Sequence, residues 1–189
     1  MSKEARAGLD LFLGRGQCAT CHSGRFQTDH RFHAIAMPQI GPGKGDGEYG
    51  NHDFGRERVT KNESDRYKFR TPSLRNVALT APYGHCGAYP DLESVIRHHL
   101  DPGGSLVSYN AAATRMPNTN ALTSDDAAVM QDQNLLGELA SQSEIDRISL
   151  TDKEVSQIID FLHCLTDPRS LNLLRDIPAR VPSGLPISD

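Results

Sequence analysis

The sequence predicts a mainly α-helical fold with long irregular loops and little strand. Three observations carry this. Helical periodicity with end signals recurs at 3–13, 91–100 and 152–165. A stretch rich in Gly, Asp and Asn runs across 23–69. Gly and Pro punctuate the chain between these segments.

KEARAGLDLFL at 3–13 reads as the first helix, ended by Gly14 and Gly16. Residues 23–69, with GPGKGDGEYGN at 41–51, read as an irregular loop with a short hairpin. A loop of that length points to function or a bound ligand. DLESVIRHHL at 91–100 is the next helix, with Asp91 as N-cap and DPGG at 101–104 as its stop. Residues 105–123 read as loop and 124–140 as a further helix. The clearest helix is 152–165, where Thr151 and Glu154 match the capping-box pattern T-x-x-E. Val155, Ile158, Ile159 and Leu162 then recur at helical spacing, and Pro168 ends the helix. The tail 169–189, with Pro178, Pro182 and Pro186, reads as extended chain over the surface of a single domain spanning 1–189.

Bulk properties narrow the function. The 189 residues suffice for one domain, yet only 37% are apolar and 6% aromatic, with no Trp. A bound apolar cofactor filling part of the interior would account for that thin supply, as would a loop-rich surface. The net charge of -4 argues against a nucleic-acid or anionic-membrane partner. No apolar run reaches the ~18 residues of a membrane span. Met1 leads straight into polar sequence, with no leader visible.

Cys18-Ala-Thr-Cys21-His22 is the strongest motif. Two thiols three residues apart on a turn can add to the two vinyl groups along one side of a porphyrin, and the next residue places an imidazole at the iron. A thioredoxin-like site would need a βαβ context, and a zinc site would need more ligands than Cys86 and Cys164 supply as lone cysteines. The reading is one covalent haem c on Cys18 and Cys21, with His22 an axial ligand.

The other axial position sets the chemistry. Candidates are His30, His33, His52, His85, His98, His99, His163, Met37, Met116 and Met130. Leu92, Val95, Ile96 and His99 share one apolar helical face, which should point inward. His98, about 100° round the helix, should lie nearer the rim. His99 is thus the first candidate, against a core histidine hydrogen-bonded to backbone. Met37 and Met116, in loops, are its main rivals.

KFRTPSLRNVALTAPYGHCG at 68–87 and LESVIRHH at 92–99 resemble the C-terminal haem domain of bacterial dihaem cytochrome c peroxidases and MauG-like enzymes. CATCH, RFHAIAMPQIG at 31–41 and IPARVPSGLP at 177–186 fit the same family, and the likeness is weakest at 105–150. The resemblance implies a cytochrome c-like fold and a six-coordinate, electron-transferring haem. The family's distal Met or Tyr lies seventeen residues after the Pro of the TAPY motif; counted from Pro82, that position is His99. This sequence therefore offers His in place of Met or Tyr.

Several further expectations follow from the resemblance. A calcium ion between two haem domains would take backbone carbonyls of Thr80 and Pro82, with another ligand from an N-terminal domain. Cys86 stands where the family commonly has Asp; with Cys164 it suggests a disulfide in an extracytoplasmic protein. Arg70 and Arg75 are candidates for the haem propionates, or are ordinary surface arginines. The family oxidises with hydrogen peroxide at its other, N-terminal haem. This domain would then relay electrons from a small cytochrome or cupredoxin to a peroxidatic haem on a partner subunit or further segment, in the periplasm. The alternatives are a stand-alone monohaem electron carrier, or a direct peroxidase at this haem if His99 is not a ligand.

Overall fold

The structure, a computed structural model, describes residues 1–114, 125–173, 176–178 and 180–184. The fold is mainly α-helical. In chain order the elements are α1 (Lys3–Leu13), β1 (Phe32–His33), α2 (Glu57–Thr60), β2 (Phe69–Arg70), α3 (Leu92–Leu100), α4 (Pro102–Val107), α5 (Ala128–Gln131), α6 (Gln133–Ser141) and α7 (Asp152–His163). Short 3₁₀ turns join many of them. The two strands form an antiparallel pair, Phe32 opposite Arg70 and His33 opposite Phe69. No helix among the described residues is long and apolar enough to cross a membrane.

The helix ends follow the cap chemistry. Ser2 caps α1 by accepting from the Ala5 amide at 3.0 Å, and Asp91 caps α3 by accepting from Ser94 at 2.8 Å. The Thr151–Glu154 capping box is complete in both directions. DPGG does not open a loop: Pro102 starts α4 directly. Asp101 closes α3, its amide donating to the Arg97 and His98 carbonyls, while its carboxylate accepts from the Gly104 amide at 3.0 Å. Pro fits there because the first helical N–H has no partner to lose. The segment expected as one helix over 124–140 is broken at Asp132, which turns extended and caps α6.

The main core is built by α1, α3 and α7. Phe12, Leu92, Ile96, Leu100, Val155, Ile158, Phe161 and Leu162 are buried together. Gly8 lets α1 and α7 touch: a Cβ there would lie 1.8 Å from the Gln157 carbonyl oxygen. Phe12 and Phe161 meet across the same contact, ring centroids 5.1 Å apart. A second cluster joins Ala36, Tyr67 and Leu106 to Val129, Leu136 and Leu139; a third joins Met37, Ile40, Ala88 and Tyr89.

Candidate functional site

Cys18 and Ala19 pack on the edge of the main core. The chain reaches them because α1 stops sharply. The Gly16 amide returns to the Leu11 carbonyl at 2.8 Å, and Gln17 takes a left-handed conformation that starts the 3₁₀ turn Cys18–Thr20. The His22 amide then donates to the Cys18 carbonyl at 2.9 Å. This turn sets both thiols and the imidazole on one short, half-buried segment.

His22 faces His99 from α3. Their ring centroids are 6.4 Å apart and the planes are inclined by 55°. A metal held between two imidazoles at about 2 Å from each nitrogen places the centroids roughly 6 Å apart. The protonation pattern agrees. His22 Nδ1 lies 3.1 Å from the Gln27 carbonyl, and His99 Nδ1 lies 2.7 Å from the Val95 carbonyl. A carbonyl only accepts, so each Nδ1 carries the proton and each Nε2 keeps a lone pair. Metal-bound histidines use their second nitrogen in this way. Burial, followed by the neighbouring His99, pushes His22 down to about 4. Burial also lowers His99. Both rings are therefore neutral and able to ligate at neutral pH. This donor set, with two half-buried free thiols beside it, fits a covalent haem c.

His98 does not lie at the rim. It is fully buried, its Nε2 2.7 Å from the Ile35 carbonyl and its ring 5.1 Å from that of Tyr89. The single-face argument failed because α3 is covered on two sides: Leu92, Ile96 and Leu100 meet the main core, while Val95 meets the third cluster. His99 is half-buried and opens toward His22.

The remaining candidates are engaged elsewhere. His30 accepts from Arg70 at 2.7 Å. His33 lies between Asp29 at 2.8 Å and Glu144 at 3.0 Å, and His52 bonds the Tyr67 hydroxyl at 2.8 Å. His85 stacks on Phe69 at 4.0 Å, and His163 is exposed at the end of α7. Met37 is buried in the third cluster and Met130 is partly buried between the second and third. Met116 lies outside the described residues. Arg70 and Arg75 are exposed, Arg75 reaching Asp167 at 3.6 Å. Thr80 and Pro82 are exposed.

The expected disulfide is not formed. Cys86 and Cys164 are both exposed free thiols. Cys164 hydrogen-bonds the Asp160 carbonyl at the end of α7, whereas Cys86 sits with a left-handed backbone in the turn before α3, beside the 39–44 segment. Counting cysteines cannot see this separation.

One charged group beside the motif was not read from the sequence. His33 is held between two carboxylates, and Lys68 reaches Glu144 at 2.7 Å. The Cys21 sulfur lies within 4.8 Å of the nearest Asp29 and His33 ligand atoms. Glu144 is 111 residues from His33, so no local pattern announces the group.

Comparison with known proteins places this geometry. No family model matches the chain. It is 34% identical over 125 residues to the cytochrome-c peroxidase IdrP1 of Denitromonas iodatirespirans, covering 56% of this chain and 33% of that protein. A solved MauG-like protein associated with microbial copper homeostasis superposes over 93% of this chain and 50% of its own, with TM-score 0.59 and 26% identity. The chain is thus similar to dihaem cytochrome c peroxidases and MauG-like proteins. The family fold extends to the diheme peroxidase BthA of Burkholderia thailandensis, which matches 92% of this chain and 45% of its own at TM-score 0.59 and 21% identity. The chain thus spans about a third of that curated family relative and half of the solved MauG-like chain.

Proposed function

We propose that this chain is the electron-transferring c-type haem domain of a dihaem cytochrome c peroxidase or MauG-like enzyme. It would relay electrons from a small cytochrome or cupredoxin to a peroxidatic haem on another domain or subunit, with hydrogen peroxide as oxidant. The observation that carries this is the facing pair His22 and His99, each with Nδ1 on a backbone carbonyl.

Haem c, when bound, supplies a one-electron couple. The chain's own residues do the rest. Cys18 and Cys21 offer the two thiols for covalent attachment. The Gln27 and Val95 carbonyls fix the tautomers of His22 and His99 and strengthen Nε2 as a donor. Were His22 and His99 both to hold the iron, no position would remain for peroxide, and the domain would serve as relay in place of reaction centre. Such attachment normally takes place outside the bacterial cytoplasm, and the domain would work in the periplasm. The carbonyls of Thr80 and Pro82, both exposed residues, would offer calcium ligands at the contact with a second haem domain.

The test is the ferric holoprotein's optical and EPR spectrum, with reduction potentials of wild type and His99→Met. Low-spin bis-imidazole iron is expected. His99→Met should raise the potential by a sizeable part of the roughly 0.8 V over which axial ligands set haem potentials. A high-spin ferric signal would make this haem the site of peroxide chemistry, and a potential unmoved by the substitution would remove His99 as a ligand.

A further inference from the structure

Among the described residues, three buried side-chain polar atoms lack a hydrogen-bond partner: Gln39 Nε2, His85 Nε2 and His98 Nδ1. Two of the three line one cavity. It has a volume of about 230 Å³ and lies between the 39–44 loop and the turn before α3, well apart in sequence from the CxxCH motif. Gln39 is only 3% exposed. Its Oε1 accepts from the Asp53 amide at 2.8 Å, which fixes the side-chain orientation and leaves the amide N–H groups as unused donors. His85 Nε2 lies 3.1 Å from Asp53 Oδ2 but is not aligned to bond it. Lys44 also lines the cavity and adds a positive charge.

Asn51 and Asp53 also bring side-chain acceptor oxygens to the lining. Asp53 is the acidic side chain there. Its Oδ1 already accepts from the Gly55 amide at 2.9 Å, and its Oδ2 faces His85. Ile40 and Pro42 supply apolar walls. The unused Gln39 amide donor, a nearby ammonium and short apolar surfaces together suit a planar anion with a small apolar tail.

We propose that this cavity binds a small aliphatic carboxylate, one oxygen taken by Gln39 Nε2 and its charge balanced by Lys44. Binding would join the 39–44 loop to the Gly84–Ala88 turn, which leads into the helix carrying His99. The site does not depend on which group holds the iron.

The experiment uses the ¹⁵N-labelled holoprotein in its reduced state, titrated with sodium acetate and sodium propionate, with chloride and phosphate at matched ionic strength as controls. The Gln39 side-chain amide resonances should shift saturably with the carboxylates and not with the controls. Lys44→Ala, an exposed change that leaves the core intact, should weaken binding roughly tenfold. In a Cys164→Ser background, propionate should also slow alkylation of Cys86, which lines the same cavity. Shifts that rise linearly, that chloride or phosphate reproduces, or that Lys44→Ala leaves unchanged would overturn the proposal and assign the cavity to solvent.

Discussion

Replacing Gly8 by Ala sets two effects of opposite sign against each other. Helix propensity alone favours Ala by about 1 kcal/mol. Packing opposes it. The added Cβ would sit 1.8 Å from the Gln157 carbonyl oxygen, 2.4 Å from its carbon and 2.9 Å from the Ile158 nitrogen, all backbone atoms of α7. No side chain can swing aside. Carbon–oxygen contacts begin at about 3.3 Å, so α1 and α7 must part by about 1.5 Å. A gap of 0.5–1 Å already forfeits a quarter to a half of the dispersion well for the atoms lining it. Ala5, Phe12, Val155, Ile158, Phe161 and Leu162 are all at least nine-tenths buried on these two helices. Overpacking of this severity costs about 3 kcal/mol or more, leaving a net loss of about 2–3 kcal/mol. At roughly 2–4 °C per kcal/mol for a chain of this size, Tm should fall by about 4–12 °C. Gly137→Ala is the control: it lies on an exposed face of α6, and a Cβ there meets nothing within 4 Å. That change should stabilise by about 0.4–1 kcal/mol. Thermal unfolding of both holoprotein variants decides the matter, and a Gly8→Ala Tm equal to or above wild type would refute the close-crossing argument.

Three further outcomes are expected. Thr151→Ala removes half of the capping box and should cost about 1 kcal/mol in urea unfolding; an unchanged midpoint would deny the cap any energetic role. Tyr67→Phe strands His52 Nδ1, whose partner is the Tyr67 hydroxyl that in turn donates to Glu138, and should cost about 1–3 kcal/mol. For His33, burial alone would lower its pKa, but the Asp29 and Glu144 carboxylates outweigh burial and raise it. A folded-state pKa above the unfolded value gives stabilisation that is complete below about pH 6.5 and lost as pH rises through the folded value. The stability gap between wild type and His33→Asn should therefore be full below about pH 6.5 and close as pH rises above it. A gap that stays constant as pH rises would remove the ion triad as its cause.

How much was legible in the sequence depended on the range of the interaction. Lys3–Leu13 and Leu92–Leu100 follow directly from local signals, as does the start of Asp152–His163: caps, glycines and apolar spacing act within a few residues. The CxxCH segment is legible for the same reason, since five consecutive residues carry the chemistry. His99 was reached by helical phase and by distance from Pro82, and the structure sets its ring opposite His22. His98 was misplaced because helical phase assumes one buried face, whereas the Ile35 carbonyl and Tyr89 bury the other side of α3. DPGG does stop α3, but residues 105–107, read as loop, continue α4, because Pro at the first helical position can also open a helix. The Cys86–Cys164 pairing and the His33–Glu144 contact rest on tertiary distances that composition does not encode.

Asp101 serves two masters, and this constrains how related chains can vary. One residue terminates α3 and initiates α4, so no spacer absorbs a change in length between them. A single residue inserted after Leu100 would swing α4 by about 100° about its axis and carry Leu106, only 1% exposed, out of the second cluster. Insertions that spare the helix carrying His99 are therefore expected beyond Ser108, and grafts or split sites intended to keep that residue in place belong there as well.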